Sequence, residues 1–144
     1  GEGTTEYGNG TSGRKQNVAV GAEKINGTLV HPGEEFSVYE AIGPLDAANG
    51  YELAGAYENG QTVESYGGGV CQVSSTLYAA MVYAGLPATE RHAHSLPVDY
   101  LPAGLDATIA GSYLDLKFTN TFSQPLLIQA SANGGTLTVT LVLQ

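Results

Sequence analysis

The feature that most constrains this chain is a run of three glycines, residues 67–69, that leads into a strongly periodic apolar segment. Apolar side chains recur there at three- and four-residue spacing, which is typical of a helix with one buried face. Gly85 and Pro87 are expected to end this helix. Any fold for the chain must therefore supply an apolar surface for that face to cover. The apolar positions are Val70, Val73, Leu77, Ala80, Met81 and Ala84.

The rest of the sequence predicts an α+β fold, with two principal helices packed on a mainly antiparallel sheet. Residues 14–25 suit the other helix, which the Asn26-Gly27 pair would end. Two alternating segments, residues 126–130 and 137–143, flank Asn133-Gly134 and predict a β-hairpin. Further short strands are predicted at residues 28–31, 35–39, 61–65 and 114–118.

Turn residues and composition suggest how the chain is divided. Residues 40–60 carry several Gly and Asn turn signals, among them Asn59-Gly60, and predict a long irregular connection. Residues 1–13 are rich in Gly, Thr and Asn, so we expect a flexible lead-in or a loosely held edge segment there. A single domain is then predicted over residues 14–144.

Length, composition and charge exclude several classes of protein. A chain of 144 residues with 42% apolar residues can bury a core, so it is not a disordered protein. It carries 14 acidic and 5 basic residues, a net charge of −9, which would repel nucleic acid and anionic membrane surfaces. We therefore expect no nucleic-acid partner and, from the low lysine content, an exported protein. Because the chain begins with Gly1 and Met81 is its one methionine, we expect a processed product or an excised domain.

The lone cysteine, Cys71, is separated from the glycine run by Val70 alone and opens the predicted helix. Free N–H groups at a helix N-terminus stabilise a thiolate and can also hold an oxyanion. Glycines in front of it would let a bulky acyl donor approach the backbone. These features favour a nucleophile, and a small buried cysteine used only for packing is the alternative that they leave open. A phosphate site is less favoured, because no Lys-Ser/Thr pair follows and the chain is acidic.

A cysteine nucleophile requires a base, and His92 and His94 are the candidates. They lie two residues apart in RHAHS, on a segment predicted to be extended, and would share one face of it. Asp99 and Asp106 are candidate carboxylates to orient the imidazole, whereas His31 lies beside a Pro-Gly turn and is expected at the surface. An open metal site using the two histidines stays an alternative, while the single cysteine disfavours a closed structural zinc site.

Four stretches of this sequence together resemble the VanW-like family. They cover nearly everything from about residue 17 onward, in family order. The resemblance implies a bacterial cell-envelope domain on the extracellular side, often found beside peptidoglycan-binding modules. It also implies, from members described as L,D-transpeptidases, the formation of 3-3 crosslinks between peptidoglycan stem peptides. The four stretches are NVAVGAEKINGTLVHPGEEFS, GGGVCQVSSTLYAA, RHAHSLPVDYLPAGLDATI and LDLKFTNTFSQPLLI.

Carried onto this chain, the resemblance implies specific site residues. The cysteine of the glycine-rich motif is Cys71, the RxxHS pattern points to His94 rather than His92 as the base, and the GxDAT pattern points to Asp106. No metal or organic cofactor is required, and a monomer is expected. The residues expected on the substrate and oxyanion side are Tyr66, Gly68, Gly69, Gln72 and Arg91, the last as a cation for a stem-peptide carboxylate.

The sequence departs from the S-x-G-C-x-R motif of the more familiar L,D-transpeptidase fold, since Gln72 and Val73 follow the cysteine. The substrate contacts of that fold therefore do not transfer to this chain. Two other functions stay open at this point. One is a cysteine peptidase or amidase that passes the same stems to water, and the other is a non-catalytic wall-binding module in which Cys71 is structural.

Overall fold

The computed structural model of the protein describes residues 1–8, 10–58, 61–94, 98–110 and 114–144. The predicted Asn59-Gly60 turn and Ser95 of RHAHS lie outside these residues. Three α-helices are present within them, and no helix in this part of the chain is long and apolar enough to cross a membrane. The helices are α1 (Ser12–Ile25), α2 (Val38–Ile42) and α3 (Cys71–Ala84).

The strands of the described residues form three separate sheets. Within the described residues, all pairs of neighbouring strands are antiparallel, which together with the helices confirms the predicted α+β class. In chain order the strands are β1 (Glu2–Glu6), β2 (Thr28–Val30), β3 (Glu35–Ser37), β4 (Leu53–Glu58), β5 (Gln61–Tyr66), β6 (Ala88–Glu90), β7 (Lys117–Thr119), β8 (Leu126–Asn133) and β9 (Thr136–Leu143). The sheets have the orders β1-β9-β8-β2, β3-β7-β6 and β4-β5.

The predicted C-terminal hairpin is present as β8 and β9, with its turn one residue later than expected. Asn133 pairs with Thr136, so the two-residue loop is Gly134-Gly135. Both glycines have positive φ angles, 60° and 84°, as a tight hairpin turn requires at its two central positions. The second glycine therefore sets the register of the hairpin.

Residues 1–13, expected to be a flexible lead-in or a loosely held edge segment, contain an edge strand and the start of a helix. β1 is an edge strand that pairs with β9 along its whole length. It also lies directly against α3, since a Cβ on Gly3 would stand 2.3 Å from the carbonyl oxygen of Thr76. Glycine in this segment therefore permits a close approach of strand and helix. α1 begins at Ser12, with Thr11 as its N-cap.

The predicted irregular connection over residues 40–60 contains regular structure. α2 replaces the end of the strand predicted at residues 35–39, because the Ser37 hydroxyl accepts a hydrogen bond from the Glu40 N–H and caps a helix. A 3₁₀ turn at Ala47–Asn49 and strand β4 follow. This segment therefore brings β4 against the glycine run that precedes α3.

The core lies between the two long helices and the four-stranded sheet. Burial of one large apolar side chain contributes roughly 1.5–3 kcal/mol, and many such side chains meet here. Because α3 is fixed along its buried face, its first residue is held in a defined position at the edge of this core. Core residues of α1, α3, β8 and β9 include Val18, Ile25, Leu77, Met81, Ile128 and Leu137.

Candidate active site

The glycine run turns the chain sharply from β5 into α3. Gly67 and Gly69 have positive φ angles of 83° and 97°, which residues with a side chain rarely adopt. A Cβ on Gly68 would stand 2.3 Å from the carbonyl oxygen of Ala54 in β4. The turn places Cys71 as the first residue of α3, with its side chain partly exposed.

The turn leaves two of the backbone N–H groups around the cysteine without an acceptor among the residues that the structure describes. The N–H groups of Val70 and Gln72 donate to the carbonyl oxygens of Gly67 and Gly69, both at 3.0 Å. Within the described residues, no acceptor is found for the N–H groups of Gly69 and Cys71. An oxyanion was expected to bind to backbone N–H groups between Gly69 and Gln72. Since the N–H groups of Val70 and Gln72 already have acceptors, those of Gly69 and Cys71 are the remaining candidates.

A loop segment lies against the first turn of α3 and contacts the thiol. The Ile109 N–H donates to the Cys71 sulfur at 3.5 Å, and the sulfur lies 3.4 Å from the Ile109 carbonyl oxygen. The Thr108 hydroxyl lies 3.6 Å from the same sulfur. The thiol is therefore surrounded by polar groups rather than packed only among apolar side chains.

Two serines one turn further along α3 hold this loop segment in place. The hydroxyls of Ser74 and Ser75 donate to the Ala107 carbonyl oxygen at 2.6 and 3.1 Å, and the Ala107 N–H donates back to Ser75 at 2.9 Å. Both serines are fully buried. The sequence patterns did not assign a role to either serine. The available signal was a pair of adjacent hydroxyl residues on a buried helix.

His94 and Asp106 form a hydrogen-bonded pair beside the thiol. The Asp106 Oδ2 oxygen accepts from the His94 backbone N–H and lies equally close to ring atom Nδ1, each at 2.7 Å. Because Nδ1 carries its proton towards the carboxylate, Nε2 is the ring nitrogen left for Cys71. The exposed fractions are small, 19% for the His94 side chain and 13% for that of Asp106. The structure therefore brings Cys71, His94 and Asp106 together.

The pKa values of these three groups shift in directions that favour an ion pair. Burial opposes a low pKa for the Cys71 thiol, but hydrogen bonds with His94, Ile109 and Thr108, together with the His94 charge, lower it. Hydrogen bonding to Cys71 raises the pKa of His94 against the effect of burial, and Asp106 adds to the rise. Burial also opposes a low pKa for Asp106, but hydrogen bonds from His94 lower it. The arrangement stabilises a thiolate–imidazolium pair.

The neighbouring candidates His92 and Arg91 have other partners. His92 turns its Nε2 to the Glu90 carboxylate at 2.9 Å, so the two histidines do not share one site. Arg91 donates from Nε and Nη2 to the Asp106 carbonyl oxygen at 2.9 and 2.7 Å, and its guanidinium lies 4.7 Å from the centre of the Tyr78 ring. Arg91 thus braces Asp106, and its contact with a stem-peptide carboxylate stays a prediction.

Gln72 connects α3 to its neighbours instead of facing the thiol. Its amide donates to the Thr5 hydroxyl and the Glu6 carbonyl oxygen, each at 2.9 Å, and its Oε1 accepts from Arg14 at 2.7 Å. The side-chain amide is therefore not available as an oxyanion donor. Tyr66, at the end of β5, is 44% exposed, and its contact with a substrate stays a prediction.

Two further residues that the sequence analysis considered, Asp99 and His31, are not part of the site. Asp99 is exposed, and the carboxylate paired with His94 belongs to Asp106. His31 is exposed, as its turn position predicted. In the part of the chain that the structure describes, no three His, Cys, Asp or Glu side chains group so as to hold a metal ion. The site combines a thiol, an imidazole–carboxylate pair and two N–H groups that have no acceptor among the described residues, a combination that suits acyl transfer.

Comparison with known proteins assigns the chain to a family. A sequence model described as VanW like protein matches residues 13–142. This chain belongs to the VanW-like family. The VanW-like chain is 37% identical to the uncharacterized protein YoaR of Bacillus subtilis over 141 residues, which are 98% of the chain and 46% of that protein. It is 31% identical to the vancomycin B-type resistance protein VanW of Enterococcus faecalis over 109 residues, 72% of the chain and 40% of that protein.

The VanW-like chain is shorter than these relatives, and it spans less than half the length of each. No solved structure matches it.

Proposed function

We propose that this VanW-like domain is an L,D-transpeptidase that forms 3-3 crosslinks between peptidoglycan stem peptides through a cysteine nucleophile. The observation that carries the proposal is the hydrogen-bonded pair of Asp106 and His94 beside Cys71, together with the lowering of the thiol pKa by His94. Such an arrangement activates a sulfur nucleophile and supplies a proton carrier, the two requirements of acyl transfer. The chemistry needs no metal or organic cofactor.

In the first half-reaction, the Cys71 thiolate attacks the carbonyl carbon that joins diaminopimelate to the terminal D-alanine of a tetrapeptide stem. The carbonyl oxygen becomes an oxyanion, and we assign the N–H groups of Gly69 and Cys71 as its donors. As the C–N bond breaks, His94 gives its Nε2 proton to the departing D-alanine amine. A thioester on Cys71 remains, and Asp106 keeps the imidazole oriented.

In the second half-reaction, the side-chain amine of an acceptor stem attacks the thioester carbonyl. His94, now neutral, takes a proton from the attacking amine as the new C–N bond forms, and the Cys71 thiolate leaves. The proton given to D-alanine is thereby replaced by one from the acceptor. The site returns to the thiolate–imidazolium state in which it began.

The cell-wall substrate and the location are supported by the relatives rather than by the site itself. The name of the Enterococcus faecalis relative connects that protein with vancomycin resistance. From this connection we propose that the present chain acts on stem peptides outside the cell, in the envelope. We further propose that it is a monomer and lies beside wall-binding domains. Its net charge of −9 disfavours a nucleic-acid partner.

Product analysis tests this function directly. The protein is incubated with purified disaccharide-tetrapeptide, and the products are separated and identified by mass spectrometry. We expect D-alanine and 3-3 crosslinked dimers in equal amounts, and neither product from Cys71→Ala. D-alanine with tripeptide and no dimer would make the protein a peptidase with the same site. Binding of stems without any release of D-alanine, by a folded protein, would contradict an enzymatic role.

A further inference from the structure

We propose that Arg14 recognises a carboxylate of the acyl donor and so determines which stems enter the site. The identity of that donor rests on the proposed function. The recognition of an anion beside Cys71 does not depend on the proposed function, and it can be measured separately. The sequence patterns did not single out Arg14, which lies in the first turn of α1.

The Arg14 side chain lies over the turn that leads to Cys71. A Cβ on Gly69 would stand 2.6 Å from Arg14 Cγ and 3.0 Å from Nη1. The missing side chain at Gly69 therefore makes room for the arginine as well as permitting the positive φ angle. The N–H groups of Gly69 and Cys71 have no acceptor in the described residues. A guanidinium next to free N–H groups is suited to an anion.

A buried amide holds the guanidinium in position. Arg14 Nη2 donates to Gln72 Oε1 at 2.7 Å, and Gln72 is only 1% exposed. The Gln72 amide is fixed in turn by Thr5 and Glu6. One nitrogen of the guanidinium is thereby oriented, while for Nε and Nη1 no acceptor is found among the described residues. Because Gln72 is neutral, it positions the arginine without cancelling its charge.

The charge of Arg14 is not balanced by any carboxylate within ion-pair distance in the part of the chain that the structure describes. The other arginine and lysine in ion pairs, Arg91 and Lys117, have Asp106 and Glu90 as partners. Among the described residues Lys15 and Lys24 also have no acidic partner at this distance, so Arg14 is distinguished by the buried amide that holds its guanidinium. A negatively charged ligand would supply the missing partner.

Tyr100 connects this cation electrostatically with the nucleophile. Burial raises the pKa of Tyr100 to about 12, a hydrogen bond with Ser75 opposes the rise, the Cys71 charge adds to it, and the Arg14 charge opposes it. The Tyr100 hydroxyl is therefore within electrostatic reach of both Arg14 and Cys71. Arg14 also lies against Gly69, two residues before Cys71, so its charge acts in the neighbourhood of the thiol.

A tetrapeptide stem offers two carboxylates near its scissile carbonyl. One is the terminal carboxylate of the departing D-alanine, and the other is the free carboxylate at the D-centre of diaminopimelate. Both present the same planar carboxylate group to a guanidinium. Arg binds such a group better than Lys, because its guanidinium donates two parallel hydrogen bonds. The expected ligand of Arg14 is therefore a donor carboxylate, and donors amidated at D-alanine or at diaminopimelate distinguish which of the two it is.

Alkylation of Cys71 by a charged and a neutral reagent tests anion recognition without a stem peptide. We expect Arg14→Met to lower the rate with iodoacetate by about tenfold, as for loss of one charge-assisted contact. The rate with iodoacetamide should stay close to that of wild type, which shows that the thiol is intact. Arg14→Lys should restore part of the iodoacetate rate. Lys15→Met, which removes an exposed neighbouring charge, should leave the ratio of the two rates unchanged.

The same variants are then acylated with three donors: the free stem, the stem amidated at D-alanine, and the stem amidated at diaminopimelate. Amidation at the recognised carboxylate should slow wild type and remove the difference between wild type and Arg14→Met. An unchanged iodoacetate-to-iodoacetamide ratio in Arg14→Met would overturn the proposal, as would an equal loss with both reagents. If no stem acylates Cys71, the proposed function fails, and the two alkylating reagents still decide on Arg14.

Discussion

Two histidine–carboxylate pairs lie two residues apart in this protein, and only one of them belongs to a candidate active site. The ring nitrogen lies 2.7 Å from the carboxylate in His94–Asp106 and 2.9 Å in His92–Glu90. The side-chain exposures differ more: 19% and 13% in the first pair, 37% and 30% in the second. A histidine next to an acid is therefore not sufficient to identify a base.

The surroundings of the two carboxylates explain the difference. Asp106 directs Oδ2 to His94 at 2.7 Å, and Arg91 lies 3.5 Å from its Oδ1 and also donates to its backbone carbonyl. Glu90 also accepts from the Asp115 N–H at 3.0 Å and pairs with Lys117 at 3.6 Å. The first pair ends at a thiol, and the second ties strands together at the surface.

Removal of each imidazole should separate the two pairs most strongly. His94→Ala should lower the rate of D-alanine release by about 10²- to 10⁴-fold, because the proton carrier is lost. His92→Ala should leave the rate nearly unchanged, since its ring contacts Glu90 and not Cys71. Steady-state kinetics with the tetrapeptide donor measures both. Equal losses in the two variants would mean that the comparison between the pairs is wrong.

Replacement of each carboxylate by an amide is the next test. Asp106→Asn should slow acylation on the order of 10- to 100-fold, the loss expected when a hydrogen bond to a charged group is weakened. Glu90→Gln should have little effect on the same rate. Rapid-quench measurement of Cys71 acylation gives the values. A larger loss in Glu90→Gln would place the functional pair at His92.

The two pairs should also differ in how they affect the pH dependence of thiol alkylation. The difference is expected in the pH midpoint of the rate rather than in its maximum value. Because the Cys71 pKa is lowered, the rate with iodoacetamide should stay high below the ordinary thiol pKa and fall only as the pH drops through the lowered value. His94→Ala should move this midpoint upwards, since it removes a hydrogen bond and a positive charge. His92→Ala should not move it. A wild-type midpoint at the ordinary thiol pKa would contradict the ion pair.

The smallest effect is expected for the cations that support each carboxylate. Arg91→Met should destabilise the fold by about 1.5–3 kcal/mol, because two hydrogen bonds to Asp106 and the contact with Tyr78 are lost. Lys117→Met removes a partly exposed ion pair and should cost about 0–1 kcal/mol. Urea unfolding gives both free energies. A stability loss in Lys117→Met as large as in Arg91→Met would remove this distinction.

The sequence predicted those parts of the fold that depend on local patterns. The periodic segment became α3 with its end at Gly85, and the last two strands became a hairpin. The motif resemblance also named Cys71, His94 and Asp106, which the structure brings together. These features are encoded within short stretches of chain, so one sequence is enough to find them.

The features that the sequence did not predict depend on contacts between distant residues. β1 is a strand because β9 and α3 lie beside it, whereas its Gly and Thr content alone suggests a flexible segment. Gln72 follows the cysteine directly, yet its contact with Arg14 joins residues 58 positions apart. No local pattern reveals that Arg91 supports Asp106 and that Arg14 lies at the glycine run. Such roles become visible only when the chain is folded.

Acylation of Cys71 is the central claim, and intact-protein mass spectrometry tests it most directly. Wild type and Cys71→Ala are mixed with disaccharide-tetrapeptide and quenched in acid. The masses of the intact proteins and of their proteolytic peptides are then measured. A wild-type adduct with the mass of the stem lacking D-alanine, located on the Cys71 peptide and missing from Cys71→Ala, is the predicted result. Release of D-alanine without that adduct under rapid quench, or an adduct that persists in Cys71→Ala, would contradict a cysteine nucleophile.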